Sequence, residues 1–309
     1  MDRRAFLQHA GSAAAAAAVA APLAAAAPAS TALFVDTNVS LYRWPTRRLW
    51  ADDAGKLVAK LRRHGVSSAW TGNFEAALHT DMAGANARLA DACARDGGGI
   101  LRPFGSVNPT IPDWPEDLRR CHEVHRMPGL RLFPNYHGYT LDDPRFKELL
   151  ERATERGLLV QIALSMEDDR SQNPVLQSAP VAVAPLPDVL AKLPGARVML
   201  LNSFSRVIGG NHAMIRRLTE VSVAFELATL EGAAGVATLL NAVPGVRLTF
   251  GSHSPYYYFE AALLKLQESA LSPGQLASVR HGWADSLLGP RPQSVPSPST
   301  TRSDGRPAR

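Results

Sequence analysis

The sequence predicts an α/β protein of the (β/α)8 TIM-barrel class, folded as a single domain. Three observations predict it. Eight short apolar stretches read as strands and a helix-like stretch follows each, the pattern of a parallel sheet. At 309 residues and 46% apolar composition, the chain has the length and the core for one such barrel. Several strands end in polar side chains, and in this fold the C-terminal strand ends converge on one pocket.

The two ends stand outside the barrel. Arg3-Arg4-Ala5-Phe6-Leu7 resembles a twin-arginine export motif, and an alanine-rich run from Ala13 to Ala27 follows it. That run has few large side chains, which suits export better than a membrane anchor. Residues 1–29 are therefore expected to be a signal peptide, read by the twin-arginine machinery, and the protein to be periplasmic or secreted. Residues 290–309 are rich in Pro, Ser and Arg and are expected to form a disordered tail, leaving 30–289 as the barrel. Of the net charge of +5, the first four residues carry +1 and the tail +3. The body is thus nearly neutral and gives no argument for nucleic acid. Cys93 and Cys121 read as buried free thiols, since two cysteines make no disulfide scaffold.

The elements follow in order. The first strand is Phe34-Val35-Asp36-Thr37-Asn38-Val39-Ser40, and Leu57, Val58 and Leu61 mark the first helix, between Asp53 and His64. Strand two is Val66 to Thr71, and a helix from Ala76 to Arg95 ends at Gly97-Gly98-Gly99. Strand three is Ile100 to Val107, followed by a helix from Trp114 to His125 with Asp113 as its expected N-cap. Strand four is Gly129 to Pro134, and Asp143-Pro144 opens the next helix. Strands five to eight are Leu158–Leu164, Ala196–Asn202, Val221–Leu227 and Val246–Phe250. The helices between and after them are Leu186–Leu193, Met214–Thr219, Ala233–Asn241, Phe259–Glu268 and Pro273–Leu288. A long acidic loop, Glu167-Asp168-Asp169-Arg170 onward, has the length of a lid.

Asp36, Asn38 and Ser40 alternate and so point the same way from the first strand, into a site or into a turn that they cap. Arg43 lies just beyond in a basic, aromatic loop that suits a planar or anionic ligand as well as plain packing. Arg131 is mid-strand in an apolar run, and a buried cation needs a partner, with Glu226 or a substrate carboxylate as the expected one. His137 follows strand four, and His253 follows strand eight, where an imidazole can serve as acid or base. No Gly-rich phosphate loop, Cys/His zinc spacing or nucleophile elbow is present.

Five stretches together resemble one family. Val35-Asp36-Thr37-Asn38-Val39-Ser40, Gly129-Leu130-Arg131-Leu132, Tyr139-Thr140-Leu141-Asp142-Asp143-Pro144-Arg145-Phe146, Leu158-Leu159-Val160-Gln161-Ile162 and Phe250-Gly251-Ser252-His253-Ser254-Pro255 are similar to the amidohydrolase-related family of metal-dependent hydrolases and decarboxylases. The resemblance implies a barrel with a metal at its mouth. The family's first strand carries His-x-His where this chain has Asn38 and Ser40. Its histidines ending strands five and six are Ala163 and Asn202 here, and its strand-eight Asp is His253. Neutral amides and hydroxyls are poor transition-metal donors, so no cofactor is expected at the usual centre. A divalent ion held elsewhere by Glu167, Asp168, Asp169 or His137 is the remaining metal reading.

The resulting expectation is a hydrolase, or a related lytic enzyme, for a small polar, carboxylated substrate. His253 is its acid/base, and Asn38, Ser40, Arg43, Arg131, His137, Gln161, Asn202 and Glu226 line its pocket. The alternative is a non-catalytic binding protein on the same barrel, its polar residues satisfying one another or holding a ligand. The expected partner is a small molecule and not nucleic acid, and a homo-oligomer stays open.

Overall fold

A computed structural model describes residues 33–168, 170–204 and 207–288. The expected signal, Asp169 and the expected tail lie outside the described residues. Eight strands run in chain order: β1 (Phe34–Leu41), β2 (Val66–Asn73), β3 (Leu101–Pro103), β4 (Gly129–Leu132), β5 (Leu159–Ala163), β6 (Arg197–Leu201), β7 (Ala224–Glu226) and β8 (Arg247–Thr249). Every pairing is parallel, in the orders β1-β2-β3 and β4-β5-β6-β7-β8. Two seams join the groups. Gly105 donates its amide to Gly129 O at 3.1 Å and accepts from Arg131 N at 2.7 Å. Thr37 N and Ser40 N each donate, at 2.9 Å, to Phe250 O and Ser254 O. The eight strands thereby form the closed parallel ring expected of the fold.

Strand three is shorter than expected, three residues instead of eight. Pro103 has no amide to donate, and beyond it the pairing resumes only as a single bridge from Gly105 to Leu130. A Cβ on Gly105 would stand 2.4 Å from Cys121 Sγ, so only glycine lets this seam close. Both cysteines are buried free thiols, and burial pushes each up to about 12.

The helices cover the ring as their patterns predict. α1 (Ala54–Arg63) buries Leu57, Val58 and Leu61, and Asp53 caps it through Lys56 N at 2.8 Å. α2 (Met82–Arg95) starts six residues later than expected, because Glu75–Ala77 forms a separate 3-10 turn and Asp81 supplies the N-cap. α3 (Trp114–Arg119) passes into a π-helical turn at Arg120–Val124, and Asp113 makes no side-chain capping bond. α4 (Pro134–His137) is a single turn after β4, and α5 (Pro144–Glu155) is capped by Asp143 as the sequence indicates. α6 (Leu186–Ala191), α7 (His212–Glu220), α8 (Gly235–Ala242), α9 (Phe259–Gln267), α10 (Pro273–Ala277) and α11 (Trp283–Leu288) complete the layer. Among the described residues no helix is long and apolar enough to cross a membrane.

Candidate functional site at the barrel mouth

The polar residues of the strand ends are brought together, but largely to satisfy one another. Asn38 Nδ2 donates to Asn202 Oδ1 at 2.9 Å and to Glu226 Oε1 at 3.2 Å. Glu226 also accepts from Asn202 N at 2.6 Å and Ala228 N at 2.5 Å, and Asn202 Nδ2 donates to Ser165 O at 2.8 Å. A second cluster surrounds Arg131, which is 1% exposed. Its Nε donates to Gln161 Oε1 at 2.9 Å, Nη1 to Val39 O at 2.7 Å and Ser40 Oγ at 2.9 Å, and Nη2 to Trp70 O at 3.0 Å. Gln161 Nε2 in turn donates to Thr37 O at 2.8 Å. The guanidinium is thus held by neutral oxygens and not by the expected Glu226 carboxylate, which acts on it only through space. Burial lowers Arg131 to about 9, with Glu226 and Asp36 opposing the shift, so it stays charged at neutral pH.

Asp36 is engaged within the protein. It accepts from Ser252 N at 3.0 Å, Ser252 Oγ at 2.5 Å and Asn38 N at 3.2 Å, bracing β1 against the turn after β8. Burial raises its carboxyl to about 7 against those hydrogen bonds. Arg43 sits outside the clusters, its side chain 83% exposed and 3.8 Å from Asp52, beside a rim cavity of about 480 Å³. His137 is buried, and its Nε2 meets Ala76 O at 2.9 Å.

His253 belongs to a third group, which sequence reasoning only half located. Its Nε2 meets Met166 O at 3.1 Å, and its Nδ1 is buried with no partner. The rings of Tyr256, Tyr257 and Phe74 surround it at centroid distances of 5.1, 5.2 and 6.0 Å. Burial in this aromatic shell lowers its pKa to about 4, so the imidazole is neutral and Nε2–H is the donor to the carbonyl. Tyr256 Oη donates to Glu167 Oε1 at 2.6 Å, while Glu167 Oε2 is buried without a partner. Trp44 Nε1 and Tyr136 Oη, whose rings pack 5.7 Å apart, are unpartnered too. Two donors and two acceptors therefore stand unsatisfied in the aromatic layer at the strand ends, an arrangement that buried polar groups avoid unless water or a ligand completes it. Glu167 opens the long acidic loop, yet the chain stays buried from Gln161 through Glu167. That continued run of burial marks it, and Tyr256 holds it.

Asn202 and His253 share an unusual backbone, with φ of 52° and 53°. Left-handed geometry is uncommon outside glycine, and Asn and His tolerate it best. Asn202 directly follows β6, and His253 lies in the connection after β8.

The donor set does not fit a transition metal. Among the described residues no group of three or more His, Cys, Asp or Glu side chains is placed to hold an ion. At the β1 positions, Asn38 turns its N–H donors inward and Ser40 sits against a guanidinium, which repels a second cation.

The amidohydrolase family matches residues 51–288. The chain belongs to this family. Its structure is similar to 5-carboxyvanillate decarboxylase from Sphingomonas paucimobilis, at 14% identity and a TM-score of 0.63, covering 83% of this chain and 99% of that one. It is equally similar to 2,6-dihydroxybenzoate decarboxylase from Rhizobium, at 13% identity and a TM-score of 0.63, covering 83% and 98%. A TIM-barrel protein of Bordetella bronchiseptica aligns with a TM-score of 0.56 at 13% identity, covering 83% and 98%. No protein of curated function matches the sequence. At these identities the solved structures establish the shared barrel fold.

Proposed function

We propose that this amidohydrolase-family barrel performs a hydrolytic or related lytic step on a small carboxylated substrate without the family's metal. The observation that carries this reading is the unsatisfied pair at the mouth, Glu167 Oε2 and His253 Nδ1, linked through Tyr256. The solved structures of this fold include enzymes named for carboxylated substrates, 5-carboxyvanillate and 2,6-dihydroxybenzoate. A neutral imidazole with a free Nδ1 accepts a proton from substrate or water. Its low pKa makes the imidazolium a strong acid, ready to return that proton to a leaving group. The Glu167 carboxylate, steadied at Oε1 by Tyr256, orients the attacking water with Oε2. Arg47, whose guanidinium lies 4.7 Å from the Tyr256 ring centroid, supplies positive charge at the rim. Arg131, with its donors already engaged, keeps the interior polar cluster in place, and export of the chain to the periplasm or beyond remains part of this reading.

The test is product analysis after incubation with a panel of small carboxylic acids, their esters and lactones, with and without a chelator. Turnover that survives the chelator and disappears in His253→Ala supports the reading. Turnover unchanged in His253→Ala rejects the role of His253, and turnover abolished by chelation rejects metal independence.

A second reading, a binding protein without turnover, is favoured by the closed Asn38–Asn202–Glu226 cluster. A panel member that raises the melting temperature and is recovered unconverted supports it.

A further inference from the structure

Lys265 carries an amine that the clusters at the mouth leave unused. It stands on α9, partly buried, and reaches across to the chain beyond β7. There its Nζ donates to the carbonyls of Ala228 and, at 3.4 Å, Leu227. The same side chain lines a cavity of about 260 Å³, shared with Ser165, Asn202 and Thr229 and with the carboxylates of Asp168 and Glu231. Burial holds Lys265 below the ordinary lysine range, while Glu226, Glu231 and Glu268 oppose the shift through space. Of the 33 Lys and Arg residues only five are lysine. Lys56, Lys147 and Lys192 are exposed, and Lys60 pairs with Glu260. An arginine at 265 would keep the charge but could not act as a nucleophile. In the neutral amine both N–H bonds stay on the two carbonyls, and the lone pair takes the place of the third proton.

We infer that Lys265 condenses with a small, uncharged aldehyde or ketone seated in this cavity. The lone pair attacks the carbonyl carbon and forms the C–N bond. One amine hydrogen passes to the carbonyl oxygen, giving a carbinolamine. The second leaves with that hydroxyl as water, and a C=N bond remains. The carboxylates on the cavity wall serve as the relay for those protons. They also set the charge of the occupant. Among the described residues Lys265 is the one basic side chain lining the cavity, and Arg170, which pairs with both carboxylates, does not line it. An anionic carbonyl compound would therefore meet two carboxylates and a single amine. The inference concerns an amine that the proposed reaction leaves aside, and it holds whether or not that reaction occurs.

Reductive trapping of the full chain tests it. The protein is incubated at neutral pH with butanal and cyanoborohydride, which reduces the imine and fixes a butyl group on the nitrogen, and peptide mass mapping locates the adduct. Lys265 is expected to take up label at least about fivefold faster than Lys56, Lys60, Lys147 or Lys192. Lys265→Arg, which retains the charge, is expected to lose the fast label, and Lys192→Arg to keep it. Butanal is expected to label at least about threefold faster than succinate semialdehyde, the same chain ending in a carboxylate. Label spread evenly over the five lysines, or unchanged in Lys265→Arg, would overturn the site. Equal labelling by the semialdehyde would overturn the preference for an uncharged occupant. Fast label at Lys265 with no turnover of any panel acid would leave this site standing while the proposed reaction fails, and turnover with no such label would do the reverse.

Discussion

Tyr256 donates its hydroxyl to Glu167 Oε1 across 2.6 Å, tying the turn after β8 to the loop after β5. The same ring stacks on His253 at 5.1 Å, so one side chain positions both the group assigned to proton transfer and the group assigned to orient the water. Tyr256→Phe keeps the ring and loses the hydroxyl. The expected outcome is a fall in kcat of about tenfold or more with KM nearly unchanged, and a stability loss of about 1 kcal/mol. Steady-state kinetics with a urea melt check it, and an unaltered kcat would remove Tyr256 from the mechanism.

Arg131 is the central post of the interior. Arg131→Met removes the charge and leaves Gln161 Oε1 and the carbonyls of Val39 and Trp70 without their donor. Breaking such a cluster is expected to cost about 3–5 kcal/mol in urea unfolding. Gly72→Ala tests the same post from the other side, because its Cβ would stand 2.6 Å from Arg131 Cδ. That crowding is expected to cost about 1–3 kcal/mol. A change below about 0.5 kcal/mol in both variants would show that Arg131 is not held as described.

Much of this was legible in the sequence, and the parts that were not have physical causes. The strand order followed from apolar stretches alternating with helical ones, and the helix opening at Asp143-Pro144 forms as read, while Asp113, the expected N-cap, makes no capping bond. Strand lengths were overestimated at β3 because apolar runs continue past the last ladder bond. Asn38, Asn202 and Glu226 were read as neighbours from their strand-end positions, and they are bonded to one another. Sequence could not tell which polar side chains pair among themselves and which are left over. That depends on side-chain reach across the barrel, and it is why Glu167, named from the sequence only as a candidate ion ligand, stands out in three dimensions by its unpartnered Oε2 while Arg131 retreats into the core.

Asp36 gives a pH signature. Its folded carboxyl is raised from 3.8 to about 7, so its contribution to stability is complete below the unfolded value and is lost as pH rises toward 7. His253 runs the other way, since its folded value near 4 lies below 6.5 and its contribution is lost as pH falls. Comparing Asp36→Asn with the wild type isolates the first effect, because His253 titrates in both. The stability difference is expected to shift in favour of the variant by about 2–4 kcal/mol between pH of about 4.5 and 8. Urea melts across that range measure it, and a pH-independent difference would mean that Asp36 is ionised throughout.

The most direct test of the account is elemental analysis of the purified full chain after expression with zinc and manganese in the medium. The account predicts well under about 0.1 equivalent of tightly held transition metal per chain, because Glu226 is engaged by Asn38, Asn202 and Ala228, a guanidinium stands beside Ser40, and among the described residues no three His, Cys, Asp or Glu side chains are placed to share an ion. About one equivalent that survives desalting, and is lost in Asn202→Ala or His253→Ala, would contradict it.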